Sequence, residues 1–150
     1  MAEWSWKAAT GGLVFLALYY LFGYYVAWQN PDLRAYYGGT DPGSFAAQMS
    51  GTLQSTPWMI PFQFARGLVW VALAALALRM MRGPWWEVGI AVSVLFTVPV
   101  LYLLFPNPIM PEEIRMTHLI ETLPYQFLFG WFVVWLLSRA GAAKLALKPA

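Results

Sequence analysis

The chain has 150 residues, of which 60% are hydrophobic and 11% charged, with a formal net charge of +2 and no cysteine. A soluble domain carries about 25% charged residues, so this composition excludes a globule coated in polar groups. The missing cysteines exclude disulfides, thiolate metal ligands and cysteine nucleophiles, and the scattered basic residues leave no nucleic-acid footprint.

In chain order, four segments are long and apolar enough to cross a bilayer, which takes about 20 residues. The first runs roughly from Ala8 to Trp28. Its basic region is a single lysine beside a glutamate, and no small-residue cleavage site follows it, so it reads as a retained span rather than a secretory signal. The second runs from Pro57 to Met80, the third from Trp85 to Phe105 and the fourth from Thr117 to Leu137. Backbone groups in lipid must be paired within the segment, which predicts helices. No alternating segments of about ten residues support a barrel. The fold class expected is therefore an all-α integral membrane protein, one four-helix domain over residues 1–150.

Orientation follows from Lys and Arg near the span ends. Lys7, Arg79, Arg82, Arg139, Lys144 and Lys148 fall on one side, and only Arg34 and Arg115 on the other. This predicts a multi-pass protein of the plasma (inner) membrane with both termini cytoplasmic. The overall pattern is similar to small four-span proteins of the bacterial inner membrane. Trp4, Trp6, Trp85 and Trp86 mark the inner edge, and Trp28, Tyr36, Tyr37 and Trp58 the outer edge.

Between the first two spans lies a long outer loop, residues 29–56, broken by Gly38-Gly39. Asp41 before Pro42 has the form of a helix N-cap followed by a first helical residue. A short interfacial helix is expected from Pro42 to Met49.

Two stretches match: "PFQFARG" from Pro61 and "PYQFLFG" from Pro124. Asn30-Pro31 and Asn107-Pro108 each follow an apolar span. The chain thus reads as two tandem helical hairpins, an internal repeat of parallel type. In that register Gln63 matches Gln126, and Gly67 matches Gly130, where close helix approach is expected. Pro61 and Pro124 would each remove an intrahelical bond and invite a kink.

Candidate functional residues break this symmetry. Arg66 lies roughly nine residues, on the order of 13 Å, into the second span. Arginine there costs at least about 2.5 kcal/mol unless it faces the bundle or water. On the fourth span Arg115, His118, Glu121 and Tyr125 form a polar stripe at helical spacing. Pro111, Glu112 and Glu113 mark where that helix starts. The ligand-binding candidates are Arg66, Gln63, Arg115, His118, Glu121, Tyr125 and Gln126. One His and one Glu make half of a carboxylate-bridged metal site, so neither a metal nor another resident cofactor is expected. Without a nucleophilic triad or a phosphate-cradling loop, the expected function is non-enzymatic. The protein would be an accessory subunit, or a binding module for an amphipathic ligand or lipid, with its polar site toward the outer leaflet. The alternatives are a small membrane enzyme or quinone-contacting protein using the Arg66, His118, Glu121 and Tyr125 column, and an oligomeric transporter. Expected partners are membrane lipids, with a second copy or a larger membrane complex.

Overall fold

A computed structural model describes residues 2–145. Six α-helices are present among them: α1 (Ala2–Phe22), α2 (Pro31–Tyr36), α3 (Phe45–Ser55), α4 (Met59–Met80), α5 (Trp85–Thr97) and α6 (Glu112–Leu145). Two stretches depart from α geometry. Gly23–Ala27 continues α1 as a π-helical turn, and Val98–Leu104 continues α5 as a 3-10 helix. Four helical segments are long and apolar enough to cross a membrane: Glu3–Ala27, Met59–Met80, Trp85–Leu104 and Glu112–Arg139. All-helical architecture and four spans are thus as expected. Lys148 and the side chain of Lys144 lie outside the described residues.

Helix α1 packs along α4 and α6, and α6 packs most extensively on α5. Glycines set two of these contacts. A Cβ on Gly67 would sit 3.1 Å from Gly12 Cα and 2.8 Å from Phe15 Cβ; one on Gly130 would sit 2.6 Å from Ser93 Cα. Each pair of backbones approaches more closely than a methyl group allows. Ser93, fully buried there, donates to the Phe127 carbonyl at 2.8 Å. The core between these contacts is aromatic. Phe15 meets the edges of Tyr125 and Phe129, and Phe96 stacks on Phe129.

The prolines act differently from one another. Pro61 is the third residue of α4, in the first turn, where the backbone N–H has no intrahelical acceptor in any case. It therefore costs no bond there. Pro124 lies inside α6, which continues through it as one helix.

Two expectations about the loop need correction. The helix expected at Pro42–Met49 begins at Phe45 and runs to Ser55. Gly43, at φ +69°, holds the chain in a left-handed conformation that interrupts any helix started at Pro42. Asp41 instead accepts from the Gly43 N–H in a tight turn, and the Ser44 hydroxyl caps α3 by accepting from Ala47 N–H. The second correction is α2. Asn30-Pro31 is itself a helix start: the Asn30 side chain accepts from Asp32 N–H, with proline at the first helical position. After the third span Asn107 also accepts from backbone, from the N–H groups of Ile109 and Met110, but it closes a turn there and the next helix starts only at Glu112.

Lys7, counted among the flanking cations, is buried. Its ammonium lies 3.5 Å from the Leu137 carbonyl and 3.8 Å from Glu3. This contact puts the start of α1 beside the later part of α6, so the two ends of the described chain lie at one end of the bundle. The 29–56 loop lies at the other, called the loop end below.

Candidate functional site

The polar residues gather at the loop end, where α1 and the third span both leave α geometry. Pro99 has no N–H, and its ring clashes with the carbonyl four residues earlier. The helix tightens to 3-10 for seven residues, longer than the three or four usual for such a stretch. Across from it, the π turn is closed by Trp28 N–H on the Gly23 carbonyl at 2.7 Å. With no side chain at Gly23, the Glu121 carboxylate approaches closely; a Cβ there would lie 3.4 Å from Oε1.

Helix α2 carries Tyr37 to this site. Leu33, on α2, is buried with Ala27 and Ile114, which fastens α2 to α1 and α6. Asn30 Nδ2 donates to Thr117 Oγ1 at 2.6 Å, and Tyr36 donates to the Ile109 carbonyl at 2.7 Å. The helix ends in a Schellman motif. Gly39 N–H bonds to the Arg34 carbonyl and Gly38 N–H to the Ala35 carbonyl, with Gly38 at φ +68°. Tyr37, the last residue before that left-handed turn, is thereby set over His118.

His118 bridges two partners. Its Nδ1 lies 2.8 Å from Glu121 Oε2, and its Nε2 lies 3.0 Å from the Tyr37 hydroxyl. A carboxylate only accepts, so with Glu121 ionised Nδ1 carries the proton. In the neutral ring Nε2 then accepts from Tyr37. Burial, reinforced by the neighbouring Tyr36 and by Glu121 and Tyr102, pushes the Tyr37 phenol above its ordinary pKa. The phenol is therefore a donor throughout the neutral range.

This Tyr37–His118–Glu121 chain borders two cavities. The inner one, about 290 Å³, is lined by α4, the 3-10 stretch and α6, with Arg66, Tyr19, Thr122, Tyr125 and Gln126 among its walls. The outer one, about 810 Å³, lies beneath α3 and between α2 and α1. Helix α3 covers it loosely. None of its residues is buried, and Phe45 holds it against Tyr24 and Tyr25 of the π turn.

The sequence-derived candidates separate into two groups. Arg66, His118, Glu121, Tyr125 and Gln126 share the inner cavity. Arg66 is half-buried, with its guanidinium 5.7 Å from the Phe15 ring centroid. Among the described residues no carboxylate lies within 4.0 Å of it, and it makes no hydrogen bond. Arg66 and Glu121 therefore face the same space without pairing. Gln126 is 1% exposed, and its Oε1 has no hydrogen-bond partner. Tyr125 is as deeply buried and also serves the core.

Arg115 and Gln63 stand apart. Arg115 is turned away from the stripe, donating from Nη1 to the Leu103 carbonyl at 3.0 Å. A cation at the carbonyl end of a helix is favourable, and here it secures the end of the 3-10 segment. Gln63 is buried with its Nε2 3.5 Å from Met59 Sδ, and its Oε1 has no partner. For a metal, His118 and Glu121 converge, but no third His, Asp, Glu or Cys joins them among the described residues.

Sequence reasoning did not find Tyr37 and Tyr19 as site residues, nor the two helix distortions. Gly23 and Pro99, each interrupting an apolar run, were the available signals for the distortions. No family model matches the chain, and no curated protein or solved structure matches it either.

Proposed function

We propose that this protein is a non-enzymatic membrane binding module for an amphipathic ligand, whose polar head enters the inner cavity at the loop end. The observation that carries this reading is Arg66. A guanidinium within a span, facing a cavity of about 290 Å³ with neither ion pair nor hydrogen bond among the described residues, is costly unless something polar meets it. A ligand head group would meet that demand. The tandem-hairpin reading fits the same picture. Gly67 on α4 lets α1 in, and Gly130 on α6 lets α5 in. The loop end faces outward, with both termini in the cytoplasm of a cell bounded by this inner membrane.

The test is native mass spectrometry from mild detergent, with an absorbance spectrum on the same sample. The expected result is a colourless protein carrying a discrete lipid-sized adduct that Arg66→Met loses. A protein that retains no adduct at any collision energy sufficient to strip detergent overturns the reading.

The hydrogen-bonded Tyr37–His118–Glu121 chain favours a second reading, in which the protein passes protons to or from a quinone-like head group. A redox-active adduct in the same spectrum, lost in His118→Ala, would select it over the first.

A further inference from the structure

Around the inner cavity, a cation and two acceptors without partners stand on different helices. On α4 stands one unpaired cation, Arg66. On α6 stand two acceptors. Gln126 Oε1 is buried without a partner. Glu121 borders both cavities: its Oε2 is on His118, while Oε1 lies on the side of Gly23, which lines the outer cavity, and makes no hydrogen bond among the described residues. The site is thus a guanidinium on α4 facing a carboxylate and a primary amide on α6. A simple anion would satisfy Arg66 and be repelled by Glu121. A simple cation would do the reverse. The complementary head group carries an anionic oxygen at one end and N–H donors at the other.

Size and access narrow it further. An engineered cavity of about 150 Å³ takes up benzene, so a space of about 290 Å³ holds a head group of roughly a dozen heavy atoms. Helices α4 and α5 pack against each other only lightly. They meet where Trp70 lies on Phe96, at 4.6 Å between ring centroids. Beyond that contact the wall facing α4 is the 3-10 stretch, with Pro99 and Val100 lining the cavity and Tyr102, 64% exposed, at its rim. This seam gives an acyl chain a lateral way out into the bilayer while the head stays inside.

We propose that the inner cavity is a site for a zwitterionic phospholipid with a primary ammonium head, a phosphoethanolamine lipid. Its phosphate meets Arg66, its ammonium meets Gln126 Oε1 and the Glu121 carboxylate, and its chains leave between α4 and the 3-10 stretch. This rests on the reading of the protein as a binding module and adds the class of head group. A phosphocholine head has the same charges but no N–H donor, so it leaves Gln126 Oε1 unpaired. Phosphatidylglycerol offers hydroxyl donors but brings a net negative charge to Glu121.

The test uses the full chain in nanodiscs of equal parts dioleoyl-phosphatidylethanolamine, dioleoyl-phosphatidylcholine and dioleoyl-phosphatidylglycerol, followed by native mass spectrometry of the retained lipid. The ethanolamine lipid is expected to exceed each of the others by about tenfold, the scale of one buried acceptor left unpaired. Gln126→Leu, which removes the orphan acceptor at similar volume, is expected to lower the ethanolamine-to-choline ratio severalfold while lipid is still retained. Chainless glycerophosphoethanolamine added in excess is expected not to displace the lipid, which separates a lipid site from a soluble phosphate site. Equal retention of all three lipids overturns the head-group assignment and leaves the binding module standing. An ethanolamine preference unchanged in Gln126→Leu also overturns it, as does displacement by the chainless compound. Retention of no lipid at all overturns the binding module itself.

Discussion

Replacing Gly130 with alanine places a methyl group 2.6 Å from Ser93 Cα and 2.9 Å from Ser93 N, both backbone atoms of α5. Ordinary contact between carbons is about 3.5–4.0 Å, so α5 and α6 must separate by roughly 1 Å. Overpacking of this kind costs about 1–3 kcal/mol. The Ser93–Phe127 bond across the same contact, 2.8 Å long, is stretched or lost, at about 1 kcal/mol more. Alanine returns about 1 kcal/mol through its helix propensity. The net expectation is a destabilisation of about 1–3 kcal/mol, or roughly 2–4 °C in Tm for each kcal/mol. Gly51 is the control: it lies within α3, and a Cβ there meets nothing within 4 Å. Gly51→Ala is therefore neutral or slightly stabilising. The assay is thermal unfolding of both variants in one detergent, followed by circular dichroism. A Gly130→Ala protein as stable as the parent would refute the claim that α5 and α6 meet backbone to backbone.

Other predictions follow from the loop end. Asn30→Ala removes both the α2 cap and the bond to Thr117; it should cost about 1–2 kcal/mol, read as a lower Tm, and parent-like melting would contradict it. Arg115→Met leaves the Leu103 carbonyl unpaired and should destabilise by about 1–2 kcal/mol while leaving lipid retention as in the parent; a loss of retained lipid would return Arg115 to the binding site. Tyr37, whose phenol is held above the ordinary 10.0, binds its proton more tightly folded than unfolded. Its contribution to stability is then flat below pH 10.0 and falls as pH rises beyond it. The phenolate absorbance of the parent minus that of Tyr37→Phe should titrate above 10.0, and a midpoint at or below it would contradict the partial burial of the phenol.

The four spans were legible because length and hydropathy decide them, and their ends moved by only a few residues. The start of α6 was legible too, since Pro111, Glu112 and Glu113 are strong local signals. The loop was harder. Asp41-Pro42 and Asn30-Pro31 carry the same capping chemistry, and only the left-handed Gly43 decides that the first makes a turn and the second a helix. For the site, helical spacing put His118, Glu121 and Tyr125 on one face, and they do share a cavity. Spacing could not place Arg115, whose long side chain turns to a carbonyl on a neighbouring span. Nor could it bring in Tyr37, which reaches His118 from 81 residues away along the chain because α2 folds back onto α6. The π turn and the 3-10 stretch change how residues beyond them face, and a uniform helical period cannot anticipate that.

The most direct test of the account is photo-crosslinking with a phosphatidylethanolamine that carries a diazirine on its acyl chain, reconstituted with the parent protein and with Arg66→Met. Removing a charge from within a span does not burden the fold, so a lost label reports lost binding. The account predicts label concentrated on α4 and the 3-10 stretch, about Trp70 and Tyr102, and absent from those positions in Arg66→Met. Label spread evenly over the four spans, or a pattern that Arg66→Met leaves unchanged, would contradict it.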